Sequence, residues 1–272
     1  MATQSVADSN PQFPSEYAVE DPGPGMLVVN LHSYSEFDAY IREQMLDFRH
    51  FVWRGQASSK WKLESTFDRL LRKHGQVPDE RLSAVHLTRF KFAARGRRGP
   101  NPAHLDDNDW WALGQHNGLA TPLLDWSRSP YVAAYFAYYT PDSVDSERRA
   151  IFGLSPAWTV ERSDAILAKW KDERRAPIVE FVTPLTDDNP RLINQSALFT
   201  RAPDGIDLES WVAANITPTD PYLRLVKITV PDTDRSLALR LLNRMNINHL
   251  TLFPDLYGAA KFVNLDLMID KY

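Results

Sequence analysis

The chain has 272 residues, 43% hydrophobic and 24% charged, which excludes an intrinsically disordered protein and is enough to bury a sizeable core. It has no cysteine, which excludes disulfides and thiolate metal sites, and its seven histidines show no ligand spacing, so no metal is expected. A net charge of −4 excludes a basic field over the whole molecule.

No segment approaches the roughly 18 apolar residues of a membrane helix. The first residues, MATQSVADSNPQFPSEY, have neither a basic stretch nor an apolar run, so a cytoplasmic protein without membrane association is expected. Residues 1–25 read as a disordered leader ending at the turn Pro22-Gly23-Pro24-Gly25, and residues 26–272 as one domain. The β-branched run 26–32 predicts a strand, followed by a helix over 36–46 capped by Ser35. Residues 50–56 read as a strand ending at Gly55. Helices are expected over 63–73, 79–95 and 108–116, the last stopped by Gly118. The segment LATPLLDW reads as a strand broken by Pro122, and Pro130 opens another helix, since its missing N–H does no harm in a first turn. In the second half RAIFGLS, APIVEFVTP and 223–231 read as strands, and 233–244 and 254–265 as helices. The order is α+β, with mixed or antiparallel sheets and flanking helices, rather than regular βαβ units.

Arg89, Lys91, Arg95, Arg97 and Arg98 put five cations into ten residues. They suit either a solvated helix face and its C-terminal end or a phosphate-binding rim.

Three segments carry chemistry. In Trp53-Arg54-Gly55-Gln56 a cation ends an apolar strand and needs an anionic partner, either an Asp of the chain or a ligand phosphate or carboxylate. Gly55 removes a side chain and admits a close backbone or ligand. The second runs from Gln115 and His116 through Thr121, Asp125, Trp126 and Ser127 to Pro130. His116 suits a helix C-terminus, and Ser127 or Ser129 can cap the helix that follows, but these roles leave other polar groups needing partners. The third, Arg191 to Thr200, sets Asn194-Gln195-Ser196 between apolar pairs and would also suit a loop bulging from a sheet edge.

FVWRGQ resembles the motif that gives the FRG domain family its name. QHNGLATPLLDWSRSPYVAAYFA closely resembles that family's long central motif, RLINQSALFT its third segment and FPDLYGAAKFV its closing motif. Ala120, Ser127 and Ala197 stand where the family usually has Pro, Thr and Gly. The motif order is in turn similar to that of ADP-ribosyltransferases, which place an Arg on an early strand, a Ser-Thr-Ser-like segment before an alanine-bearing helix, and a Glu motif on a later strand. That resemblance implies a split-sheet cleft and NAD as substrate, with ADP-ribose passed to an unknown acceptor, protein or nucleic acid, as in a toxin or defence effector. It implies that Arg54 holds phosphate or ribose, that Asp125 and Ser127 meet the nicotinamide ribose, and that Trp53 or Trp126 stacks on the nicotinamide. His116 would serve the adenosine side or proton transfer, and Gly55, Gln56, Gln115 and Thr121 complete the expected binding set. Gln195 stands near the third motif but is neutral, so Glu180 or Glu209 is the candidate carboxylate. The alternative is a non-catalytic nucleotide or nucleic-acid recognition module, with Trp53, Trp110 and Trp111 as stacking platforms.

Overall fold

The computed structural model describes residues 18–100, 102–140, 147–183, 197–217, 220 and 222–272. Its strands are β1 (Ala18–Gly23), β2 (Met26–Asn30), β3 (Val52–Gln56), β4 (Leu123–Ser127), β5 (Arg148–Leu154), β6 (Glu180–Val182), β7 (Ala197–Arg201) and β8 (Leu225–Pro231). They form one eight-stranded sheet in the order β1-β2-β8-β5-β3-β4-β7-β6. Only the β2–β8 pairing is parallel; the other neighbours are antiparallel. The fold is α+β, as the pattern of elements implies.

The expected leader ends earlier than Gly25. Residues 18–23 form β1, which turns at Pro24-Gly25 and pairs with β2, Val19 opposite Val29, so backbone groups at the edge of β2 find partners. Residues 1–17 lie outside the described residues.

The helices are α1 (Tyr34–Tyr40), α2 (Thr66–Lys73), α3 (Glu80–Ala93), α4 (Asp107–His116), α5 (Pro130–Tyr139), α6 (Pro156–Leu167), α7 (Leu208–Asn215), α8 (Arg235–Arg244), α9 (His249–Leu252) and α10 (Leu256–Met268). The cap of α1 is Ser33 and not Ser35: the Ser33 hydroxyl accepts the Glu36 N–H at 3.1 Å, and a π turn over Ile41–Met45 continues the helix. The segment APIVEFVTP yields only the three residues of β6 as strand.

Three apolar clusters hold the layers together. On one face, α1, α5, α8 and α10 cover Val29, Ile151, Val226 and Ile228. On the other, Trp158 of α6 and Trp211 of α7 pack with Val52, Leu124, Trp126 and Phe152. Leu87 of α3 and Trp111 of α4 close over Leu123, Val182 and Phe199.

Helix α5 is fixed at both ends. Ser129 accepts from the Val132 N–H at 3.3 Å, and Pro130 opens the first turn. At the far end two buried arginines take up carbonyls that have no helical partner. Arg149 donates to the Ala137 and Thr140 carbonyls at 3.2 and 3.0 Å and pairs with Asp232, while Arg235 donates to those of Tyr138 and Tyr139 at 2.9 and 3.2 Å.

Helix α2 is tied to the turn after β7 through Asp68, whose Oδ2 accepts the Gly205 N–H at 3.2 Å. Burial raises the Asp68 carboxyl from 3.8 to about 6; the Gly205 bond opposes the shift and Asp204 and Glu64 add to it. A carboxyl raised in the folded state stabilises the fold fully below its unfolded value and loses that contribution as pH climbs through its folded one. Between about pH 4 and pH 7, therefore, thermal unfolding of Asp68→Asn should gain on that of wild type. A difference in Tm that does not move with pH would show that Asp68 is not the linked group.

Candidate functional site

Strands β3 and β4 share a single residue pair, Trp53 with Ser127, whereas β3 pairs with β5, and β4 with β7, along five residues each. Beyond that pair the two strands part, and a cleft of about 420 Å³ opens between them. Its sides come from α4, α5, Trp61, Arg69 at the end of the first turn of α2, and Phe253 after α9. The size lies in the ordinary range for a small-molecule site.

Arg54 spans the opening. One guanidinium nitrogen donates to the Asp125 carbonyl at 2.8 Å and lies 3.4 Å from its carboxylate Oδ2. An Arg committed to a carboxylate as an ion pair presents two nitrogens to its two oxygens. Here one nitrogen serves a backbone group that the departing strand has left open, and the carboxylate contact is long. The Arg54 side chain is 16% exposed, its Nε has no partner among the described residues, and burial lowers its pKa while Asp125 partly restores it. It stays a cation, as arginine does in proteins.

Asp125 turns its carboxylate into the cleft, 54% exposed. Gln115 holds it, its Nε2 donating to Asp125 Oδ1 at 2.5 Å, and the buried Thr121 hydroxyl donates to Gln115 Oε1. The Thr121 backbone is pinned in turn by Thr66, whose hydroxyl accepts its N–H at 3.0 Å. A relay from the base of α2 thus fixes the rotamer of the cleft carboxylate, and Thr121 acts behind the cleft rather than in it.

Gly55 faces α5. A Cβ there would stand 1.9 Å from the Ala133 carbonyl oxygen and 2.5 Å from the Ala137 nitrogen, so the glycine admits a backbone, not a ligand. This approach brings Ala133, Phe136 and Tyr139 over the opening. Gly258 does similar work on the far wall: its Cβ would fall 1.9 Å from the Phe253 carbonyl oxygen, and its absence lets α10 lie against the turn that presents Phe253. The Phe253 ring stacks on His249 at 4.7 Å and meets Phe136 edge-on at 6.0 Å.

Of the residues expected from sequence, Trp53, Arg54, Gly55, Gln56, Gln115, His116, Asp125, Trp126 and Ser127 all line this cleft. The two tryptophans are not stacking surfaces, however. Trp53 is 3% exposed with its ring against Gly153, and Trp126 is 2% exposed with its indole N–H on Thr200 at 2.8 Å. Both are apolar strand residues that serve the cores. Ser127 is buried and accepts the Ser129 N–H at 3.1 Å, which fits the turn into α5, while Ser129 itself is the cap. Gln56 donates to the Lys62 carbonyl at 3.1 Å. His116 is exposed at the end of α4.

Both candidate carboxylates lie elsewhere. Glu180, on edge strand β6, pairs with Arg175 at 2.8 Å, and Glu209 accepts the Leu63 N–H at 2.9 Å; neither lines the cleft. Gln195 lies outside the described residues, as does most of its segment. Among the described residues the cleft's carboxylate is that of Asp125, facing the guanidinium groups of Arg54 and Arg69. The Arg69 side chain has no hydrogen bond or ion pair among the described residues, and its charge lies near enough to Arg54 to lower that guanidinium's pKa. Trp61, 43% exposed, offers the open ring face that Trp53 and Trp126 lack. Neither Arg69 nor Trp61 stands in a motif; only packing brings them here.

Searches of curated proteins and of solved structures each returned no match. The family model of the FRG domain matches residues 49–146, the stretch from β3 through α5 that supplies Arg54, Gln115, His116, Asp125 and Ser127.

Proposed function

We propose that the protein is an ADP-ribosyltransferase-like enzyme with NAD as its substrate. One observation carries the proposal: Arg54 on β3 and the Gln115-held Asp125 on β4 meet where these strands part, beneath the alanine-bearing α5. The order Arg, polar strand end, alanine helix is that of the resembled enzymes.

The chemistry follows from the charges. The bond between nicotinamide nitrogen and ribose C1′ breaks, the electron pair leaves with nicotinamide, and the ribose becomes oxocarbenium-like. An acceptor oxygen or nitrogen then bonds to C1′ and gives up its proton. Arg54 and Arg69 present two cations to the diphosphate. The Asp125 carboxylate, held by Gln115, faces the developing positive charge or the ribose hydroxyls, which is electrostatic stabilisation by a preorganised group. In this arrangement Asp125 takes the role that the resembled enzymes give to a Glu on a later strand. Trp61 gives a ring of the dinucleotide a face to stack on. Transfer of ADP-ribose disables an acceptor, which suits a toxin or defence effector.

Asp125→Asn keeps the size of the side chain and the acceptor for Gln115 while removing the charge. Nicotinamide release from NAD should fall by about 100-fold or more, with NAD-induced thermal stabilisation nearly unchanged. Wild type that is stabilised by NAD yet releases no nicotinamide would make the domain a nucleotide-recognition module. Wild type that does neither would refute the assignment.

A further inference from the structure

Between the end of α3 and the start of α4 runs a second groove, of about 490 Å³, lined by Lys91, Phe92, Arg95, Arg98, Pro102 and Trp110. From Arg81 to Leu105 the chain has six Arg or Lys residues and no carboxylate, against a net charge of −4 overall. Phe92 is 58% exposed and lines the groove. The Arg95 guanidinium lies 4.2 Å over the Phe92 ring and that of Arg98 lies 4.8 Å over Trp110. Backbone carbonyls steady two of the cations: Arg98 donates to Ala103 at 2.7 Å and Arg97 to Ala93 at 2.7 Å.

The carboxylates nearby in sequence are engaged. Asp107 pairs with Lys91 at 2.5 Å, and Asp106 and Asp109 close the capping box of α4. Arg95, Arg97 and Arg98 have no carboxylate partner among the described residues. Guanidinium groups interleaved with ring faces match a chain that alternates phosphates with flat bases; a phosphopeptide or a lipid surface would use the charges and leave the rings idle.

We propose that this groove binds single-stranded nucleic acid. Trp110 lies five residues before Gln115, so its side chain points about 140° away around α4, and the groove lies across the helix from the cleft. Nucleic acid and dinucleotide then bind together without competing. The binding claim stands on the groove alone; that the strand is the acceptor rests on the transferase reading above.

The test is fluorescence anisotropy with labelled oligothymidine and oligouridine of about 20 nucleotides, on the full chain, with and without NAD. Three phosphate contacts on a single strand predict an affinity that falls about 20-fold between 50 and 200 mM salt. Phe92→Ala should weaken binding about 5- to 100-fold, the loss of one stacked base, and the double variant Arg95→Glu with Arg98→Glu should abolish it. Phe92 and Arg95 are exposed and Arg98 is half-buried, and thermal melting of the variants followed by circular dichroism serves as the check on folding. No binding by wild type at 50 mM salt, binding that the variants retain, or displacement of the oligonucleotide by NAD would overturn the proposal. So would a Phe92→Ala variant of wild-type affinity, since it would show a polyanion surface without stacking, or a preference for vesicles containing phosphatidylserine. Loss of nicotinamide release in wild type, by contrast, would strike the transferase reading and leave the groove untouched.

Discussion

Arg54→Ala is expected to lower nicotinamide release by at least about 100-fold and to remove the thermal stabilisation by NAD, at a cost to folding of only about 1–2 kcal/mol. The small folding cost comes from the geometry of its contacts. Truncating one member of a buried ion pair typically costs about 3–5 kcal/mol, because the charge left behind stays in a low-dielectric site. Asp125 is more than half exposed and keeps its bond from Gln115, so water replaces the guanidinium at its carboxylate. What folding loses is one hydrogen bond, to the Asp125 carbonyl. Thermal unfolding of wild type and variant, each with and without NAD, separates the two roles. Under the ligand role the variant melts a few degrees lower and only wild type responds to NAD. A variant that melts about 10 °C or more below wild type, with NAD shifting neither, would make Arg54 a structural residue. Arg54→Lys should not restore activity, because a point charge on a flexible stem cannot give the parallel donors of a guanidinium.

The sequence is legible to different depths in different parts of the molecule. Strands β2 and β8 were legible because β-branched runs leave no good alternative to extended backbone, and β8 is buried along most of its length. Helices α6 and α7 are not legible in the sequence. Their apolar residues, Trp158 with Thr159 and Trp211 with Val212, are too few to impose a helical period on the intervening polar residues. Strand β7 read equally as a loop, since its pairing with β4 and β6 on either side is a tertiary fact. The cleft was legible where residues share a motif, because Arg54, His116 and Asp125 carry polar groups that a core cannot satisfy. Arg69 and Trp61 reach it only through the packing of α2 and the segment after β3, and Phe253, which opens the closing motif, is carried there by the α9–α10 turn. The stacking role assigned to Trp53 and Trp126 failed because sequence shows that a ring is present but not which side of the sheet takes it.

Gly55→Ala should destabilise the fold by at least about 3 kcal/mol, the largest effect expected from so small a change. The added methyl would stand 1.9 Å from the Ala133 carbonyl oxygen and 2.5 Å from the Ala137 nitrogen. Both are backbone atoms in a helix, so no rotamer change relieves the clash. Either β3 bends or α5 moves away, and α5 has little freedom. It is capped by Ser129 at its start and gripped at its end by Arg149 and Arg235, whose guanidinium groups would lose carbonyl partners in a buried place. Separation would also open voids around Ala133, Ala134 and Ala137, all buried. Function should fall with stability, because Phe136 and Tyr139 ride on α5 and would leave the cleft whose other side holds Arg54. Circular dichroism melts would show the variant lower by about 6–12 °C, or the protein would fail to accumulate in soluble form. A Gly55→Ala protein that melts within about 2 °C of wild type would mean that α5 yields easily. The close approach of helix to strand would then not be what shapes the cleft.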